Sequence, residues 1–196
     1  MLKAILFLTR LYFRLFNRIE VKGLERIPLS GPLIIVANHL SYADPPALLS
    51  YLLPVRSFSV MAKKELFKIR PLSALLSKWG VIPVDRYREG GGLGALRAAM
   101  DALKAGKCLV LFPEGTRARG RQLEPKAGVA LLAHKTGAPV LAVRIFNTEN
   151  FLKLGKITIK FGSIKNFTPA AGAERKEAYA EFSKSIMSEI FAITEN

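Results

Sequence analysis

The sequence predicts an α/β domain with a mostly parallel, partly mixed sheet flanked by helices. Three observations carry this. Short apolar runs at 33–37, 81–84 and 107–112 are rich in Val, Ile and Leu, as strands buried on both faces require. Stretches of helical composition follow those runs, so strands and helices alternate along the chain. Pro and Gly punctuate the gaps, as in the loop 27–32 and at Gly137.

Taken in order, residues 1–18 form a basic amphipathic helix. At about 100° per residue, Lys3, Arg10, Arg14 and Arg18 share one stripe, and Leu, Ile, Phe and Tyr fill most of the remainder, the pattern of a helix lying in a membrane interface. The alternative is a helix packed on the domain's own core. A secretory signal fits poorly, because the apolar run between Lys3 and Arg10 is short and no small-residue cleavage site follows. No run approaches the roughly 18 apolar residues of a spanning helix. Residues 19–196 form the second unit. A short strand is expected at 19–22, then the strand 33–37 and a helix starting at Asp44, ahead of Pro45-Pro46. A strand at 57–61 and a helix at 71–78 follow. The run 81–84 contains Pro83, which places it at an edge or in an irregular position. A helix at 93–105, a strand at 107–112 and a helix at 126–135 come next. Strands at 139–146 and 156–161 are joined by a short connection and need not be parallel. A long helix at 173–193 closes the chain. No internal repeat or low-complexity tract is present.

With 196 residues, half of them hydrophobic, the chain can build one ordinary core. Lys and Arg outnumber Asp and Glu by 30 to 15, a net charge of +15. Such a balance favours an anionic partner: nucleic acid, an anionic membrane surface, or an acidic protein or substrate. The sequence has no recognition-helix, RRM or OB signature, and its aromatics do not interleave with its basic loops, so no nucleic-acid partner is expected. The single Cys108 allows no internal disulfide and lies in an apolar run, where packing is its expected role. No cluster of Cys, His and carboxylates suggests a metal.

Three expected strands end in polar sequence. The run 33–37 leads into Asn38-His39 and on to Asp44, 81–84 into Asp85-Arg86, and 107–112 into Pro113-Glu114-Gly115-Thr116-Arg117. If the strands are parallel, the three motifs emerge at one carboxyl edge, where open α/β sheets bind ligands. Together they offer a histidine, a carboxylate and the arginines Arg86, Arg117, Arg119 and Arg121. That set suits general-base catalysis on a substrate with an anionic handle, most naturally a phosphate. Taken singly, each motif has a plainer use: Asp44 as a helix cap, His39 as a hydrogen-bonded strand-end histidine, 114–117 as a structural turn.

The stretch His39-Leu40-Ser41-Tyr42-Ala43-Asp44 resembles the H-x4-D motif of the glycerolipid acyltransferases, the 1-acylglycerol-3-phosphate acyltransferase family. Residues 80–86 (GVIPVDR), 112–117 (FPEGTR) and 137–143 (GAPVLAV) resemble its further blocks. The chain departs from the pattern at Ala118, where serine is common, and at Ala142, where a second proline is usual. The resemblance implies a glycerolipid acyltransferase-like fold and transfer of a fatty acyl group from acyl-CoA or acyl-ACP to the free hydroxyl of 1-acyl-sn-glycerol-3-phosphate, forming phosphatidic acid. It implies His39 as general base held by Asp44, with the acceptor bound by Arg86, Glu114, Gly115, Thr116 and Arg117, and by Lys63, where the family often has a lysine. Glu114 would orient the acceptor hydroxyl or Arg117. Oxyanion donors would be amides after His39 or near Gly115. No cofactor is implied; the thioester is a substrate. The expected partners are an anionic membrane surface, the lysophospholipid acceptor and the acyl donor, with the protein peripheral or monotopic on the cytoplasmic face. Alternative acceptors are lyso-ornithine lipid or another lysophospholipid.

Two further patterns lead nowhere. Residues 90–95 satisfy G-x-G-x-x-A, but the charged stretch 85–89 separates them from the strand, so a loop at the cleft rim is expected rather than a dinucleotide fingerprint. His134 falls in a helix away from every motif, and Ser41 lacks a nucleophile elbow.

Overall fold

The computed structural model describes residues 2–195 apart from 79, 86–90, 119–120, 122, 170–171 and 173. Its helices are α1 (Leu2–Phe16), α2 (Asp44–Leu52), α3 (Arg70–Lys78), α4 (Gly91–Lys104), α5 (Gly128–Thr136) and α6 (Arg175–Ala192). The strands β1 (Glu20–Lys22), β2 (Leu33–Ala37), β3 (Phe58–Lys63), β4 (Val81–Val84), β5 (Cys108–Leu111), β6 (Val140–Phe146) and β7 (Thr158–Lys165) form one seven-stranded sheet in the order β1-β7-β6-β2-β5-β3-β4. The strands from β6 through β2, β5 and β3 to β4 pair in parallel. β7 runs antiparallel to β6, and β1 joins β7 in parallel at the far edge. The mixed sheet expected from the short β6–β7 connection is therefore present.

Composition explains this order. All five residues of β2, Leu-Ile-Ile-Val-Ala, are buried, because β5 and β6 flank the strand and helices cover both faces. Fully burying each such aliphatic side chain contributes roughly 1.5–3 kcal/mol. Leu33 and Ile35 face one hydrophobic cluster, shared with α1, α2 and α3. Ile34 and Val36 face the other, shared with α4, α5 and α6. Among the described residues β4 pairs only with β3, and Pro83 lies opposite Ala62, so the missing N–H costs little at an edge. Gly137 ends α5 in the left-handed region at φ 65°, its N–H reaching the Ala133 carbonyl at 2.9 Å.

Helix α1 lies on the domain and also keeps an outer apolar face. Leu6 and Phe13 are buried, Phe13 within the first cluster, whereas Phe7, Leu8, Leu11, Leu15 and Phe16 are exposed. Arg10 does not point away from the protein: its guanidinium lies 4.5 Å from the Tyr51 ring centroid on α2. At Arg10 the basic stripe thus borders the packed face, while Arg14 and Arg18 are exposed. Below the helix, Asn17 is fully buried and donates to the carbonyls of Phe151 and Gly155 at 2.8 and 3.1 Å. No described helix is long and apolar enough to cross a membrane.

Candidate active site

Because β2, β3, β4 and β5 are parallel, the segments after them emerge at one carboxyl edge. The β2 segment lies deepest. Asn38 continues the strand's line with a side-chain bridge to β6, where Nδ2 donates to the Ile145 carbonyl at 2.9 Å and Oδ1 accepts the Ile145 N–H at 2.7 Å. This fixes the residue before His39 on two bonds. The His39 N–H donates to Glu114 Oε2 at 3.0 Å. The His39 carbonyl accepts the Ala118 N–H at 2.8 Å. The imidazole stacks on Phe112, with centroids 4.4 Å apart. The histidine motif and the 112–117 motif are therefore one structure.

Asp44 organises the loop. Its fully buried carboxylate takes the His39 Nδ1–H at 2.7 Å, the Leu40 N–H at 2.6 Å and the Ser41 N–H at 2.8 Å, all on Oδ2. Oδ1 accepts the Thr148 hydroxyl. A carboxylate only accepts, so the proton sits on Nδ1, and the Nε2 lone pair is left to act as a base. The Ser41 hydroxyl donates to the Thr148 carbonyl at 2.9 Å and accepts the Ala43 N–H at 3.0 Å, which is a structural role. Asp44 is the first residue of α2. Ala43 occupies the cap position and no side chain caps the helix, so the carboxylate serves the loop rather than the helix end.

These bonds occupy several of the amides that the sequence offers to an oxyanion. The N–H groups of His39, Leu40 and Ser41 are committed to Glu114 and Asp44 and are not available to an oxyanion. The Gly115 N–H is likewise bonded to the Phe112 carbonyl at 3.0 Å.

The turn after β5 is shaped by Gly115 at φ 69°, where an added Cβ would lie 2.8 Å from Lys126 Cε. Arg117 follows at the rim. Its guanidinium carbon is 3.7 Å from the Tyr42 ring centroid, and Nη2 donates to Tyr42 Oη at 2.9 Å. Tyr42 is 74% exposed, so the stacked pair faces solvent three residues beyond His39 in the chain. Thr116 is exposed beside it. Glu114 is buried, and its bond goes to the His39 main chain rather than to Arg117. Burial pushes its carboxyl above the usual range, against the pull of the His39 N–H. Lys63 ends β3, exposed, level with Val84 at the same sheet edge. Lys64 pairs with Asp85 at 3.2 Å. Arg86 and Arg119 lie outside the described residues, and Arg121 is exposed. Of the glycines expected in a rim loop, Gly90 lies outside the described residues, and Gly91, Gly92 and Gly94 instead open α4.

Sequence reasoning missed Thr148, Tyr42 as the partner of Arg117, the Lys126 stem beneath Gly115, and Arg144. Only Arg144 had a local signal, as a lone charge in the apolar strand Val140–Phe146. Thr148 follows Asn147, which sits at φ 64° and is held by a bond of 2.7 Å from its Nδ2 to Glu195 Oε1. Cys108 is buried in β5, and burial pushes its thiol up to about 12, which suits packing. Among the described residues no group of His, Cys, Asp and Glu could hold a metal ion.

Residues 18–146 match the family model described as Acyltransferase. The chain is 32% identical over 142 residues to the chloroplastic 1-acyl-sn-glycerol-3-phosphate acyltransferase BAT2 of Brassica napus, covering 71% of this chain and 40% of that one. It is 35% identical over 136 residues to the 1-acyl-sn-glycerol-3-phosphate acyltransferase of Borreliella burgdorferi, covering 68% and 53%. The chain thus spans about half or less of the length of these two relatives. Among solved structures, the 1-acyl-sn-glycerophosphate (LPA) acyltransferase PlsC from Thermotoga maritima superposes with a TM-score of 0.74 at 31% identity, covering 100% of this chain and 81% of that one. With the family model matching well over half its length, and a fold shared with a solved relative, the chain belongs to the acyltransferase family.

Proposed function

We propose that the protein transfers a fatty acyl group from an acyl thioester, acyl-CoA or acyl-ACP, to the free hydroxyl of 1-acyl-sn-glycerol-3-phosphate, forming phosphatidic acid. The observation that carries this reading is His39 Nε2, which makes no hydrogen bond among the described residues. Its imidazole is held by a buried carboxylate and joined through the Ala118–His39 main-chain bond to the turn bearing Arg117. An alcohol is a poor nucleophile at neutral pH. As its oxygen attacks the thioester carbonyl, its proton passes to Nε2. Asp44 keeps the imidazole in the right tautomer and stabilises the imidazolium. The tetrahedral intermediate collapses with cleavage of the C–S bond, and the thiolate leaves and takes up the proton. An enzyme nucleophile is not needed, because the acceptor hydroxyl fills that role. The Arg117 guanidinium, already oriented by Tyr42, binds the acceptor phosphate through charge-assisted bonds. Arg86 and Lys63 are proposed to assist from the neighbouring strands.

The exposed Phe7, Leu8, Leu11, Leu15 and Phe16 of α1 give the protein an apolar face to lay on a lipid surface, with Arg14 exposed beside it. The net charge of +15 favours an anionic leaflet and an anionic acyl donor. This supports peripheral attachment on the cytoplasmic side.

The test is a donor-by-acceptor matrix on purified protein in anionic vesicles. Acyl-CoA and acyl-ACP are each offered with lysophosphatidic acid, a lysophospholipid of larger headgroup, and lyso-ornithine lipid. Turnover with lysophosphatidic acid is expected. Turnover only with a phosphate-free acceptor would overturn the acceptor assignment, and no turnover with any thioester would overturn the reaction.

A further inference from the structure

The chain leaving β6 passes through Leu152-Lys153-Leu154 at the carboxyl edge of the sheet, the edge that carries His39. Leu152 is 75% exposed and Leu154 49%, with Lys153 exposed between them. Single exposed leucines say little, but this stretch is pinned at both ends. It closes the 3-10 helix Thr148–Lys153. At the start of that helix Thr148 is fully buried, its hydroxyl on Asp44 and its carbonyl accepting the Ser41 hydroxyl. At the end, buried Asn17 donates to the carbonyls on either side of the tip, those of Phe151 and Gly155. Phe151 packs on the first hydrophobic cluster. The Ile157 N–H bonds back to the Asn17 carbonyl at 3.1 Å. Leu154 itself sits at φ 56° and ψ 26°, a left-handed conformation that glycine or asparagine adopts readily and leucine does not. Asn147, before the same helix, meets the same demand with a tolerant residue. Backbone strain thus accompanies an apolar side chain held in water, at a position where glycine would remove both costs.

We infer that Leu152, Lys153 and Leu154 form a second point of contact with an anionic lipid bilayer, so that the protein sits on the membrane by α1 and this tip together. The inference rests on the membrane face proposed for α1. Three observations select a bilayer as the occupant. The tip continues that face, because Asn17, which fixes it, directly follows the exposed Leu15 and Phe16. A lysine between two leucines suits the boundary between headgroups and acyl chains: the leucines enter the acyl region and the ammonium reaches lipid phosphates. Arg14, Arg18 and Lys156 are exposed on the adjoining segments, which gives the surroundings the sign an anionic leaflet attracts. Finally, the tip stands at the His39 edge, where a lysolipid arriving from a bilayer has to present its hydroxyl. A helix lying alone in an interface leaves the protein free to roll about the helix axis. A second contact on another segment limits that roll and keeps the His39 edge toward the lipid.

The experiment uses the full chain and vesicles of phosphatidylglycerol and phosphatidylcholine. The native Cys108 is buried, so an added cysteine takes the label. Leu152→Cys, and separately Leu15→Cys on α1, carry an environment-sensitive dye and meet vesicles with and without nitroxide lipids. A blue shift and nitroxide quenching are expected at position 152. Unlabelled variants are then compared by vesicle sedimentation. Leu152→Ser and Leu154→Gly each weaken partitioning about tenfold, as withdrawing one leucine from an apolar phase predicts. Leu154→Gly does not lower Tm, since the strain it relieves offsets the chain freedom it adds, so its weaker binding is not a loss of fold. Lys153→Gln weakens partitioning about fivefold on anionic vesicles and leaves neutral ones unchanged. An absence of quenching at 152, or partitioning of both leucine variants within about twofold of wild type, overturns the inference. So does a blue shift that appears without vesicles and grows with protein concentration, which would put a second copy of the chain on the tip. Quenching at 15 without quenching at 152 removes the tip and leaves the α1 face standing. Quenching at 152 without quenching at 15 keeps the tip as a lipid contact and removes the α1 face. None of these readouts depends on turnover, so they stand apart from the proposed reaction.

Discussion

The chain has two histidines, and their local geometries are closely alike. His39 puts Nδ1 2.7 Å from Asp44 Oδ2 and stacks on Phe112 with centroids 4.4 Å apart. His134, on α5, puts Nδ1 2.7 Å from Tyr179 Oη and stacks on Phe167 with centroids 5.1 Å apart. The surroundings separate them. Asp44 is a fully buried carboxylate gathering hydrogen bonds from His39, Leu40, Ser41 and Thr148, and it can stabilise a proton arriving on the ring. Tyr179 is a phenol beside an exposed imidazole at the opposite end of the sheet. There Phe167, Pro169, Arg175 and Ala178 complete an open groove of about 470 Å³. A stacked and hydrogen-bonded histidine is therefore common ground. The buried, multiply bonded carboxylate and the neighbouring rim arginine are what suit His39, and not His134, to the proposed role of base.

This contrast can be broken in graded steps. The largest effect is expected from His39→Ala, which should lower kcat by about a thousandfold while circular dichroism and vesicle binding stay unchanged. A variant that folds and keeps its activity would remove the difference between the two histidines. Asp44→Asn, measured as kcat against pH, should cost about a hundredfold or more, since an amide can hold the wrong tautomer and cannot stabilise the imidazolium. Arg117→Ala should act mainly on the acceptor, raising KM for lysophosphatidic acid by roughly 10–100-fold, as loss of hydrogen bonds to a charged group predicts. Arg117→Lys should recover part of that. Thr148→Val should lower kcat by about tenfold with little change in KM, and Thr148→Ser, which keeps the hydroxyl, should restore it. The smallest effect belongs to the other region: His134→Gln should leave turnover within about twofold of wild type. A large loss there would mean that the groove at the opposite end matters to the reaction.

How far the letters predict this arrangement follows from the range of each contact. Strand β2 is legible because both of its faces are buried, so no polar residue interrupts Leu33–Ala37. Pro83 announces an edge because a central strand needs its N–H. His39 and Asp44 are legible because one loop carries both. Thr148 is not, because it reaches Asp44 across 104 residues, and nothing near position 148 records that a hydroxyl is needed there. The glycines at 91, 92 and 94 mislead for a different reason. Their low helix propensity suggests a loop, yet α4 buries Ala95, Ala99 and Leu103 against the sheet, and that packing outweighs the local preference. The orientation of α1 is also a tertiary matter. Periodicity groups Arg10 with the other basic residues, but only the presence of Tyr51 on α2 turns it toward the protein.

The tie between Glu195 and Asn147 has a practical side. Asn147 precedes the residue whose hydroxyl meets Asp44, so a cargo inserted next to position 195 would tug on a lever that ends at the His39 ring. A fusion partner, a surface-immobilisation handle or a purification tag belongs on a generous spacer. Otherwise a sluggish preparation is mistaken for poor chemistry when its cause is a displaced Glu195.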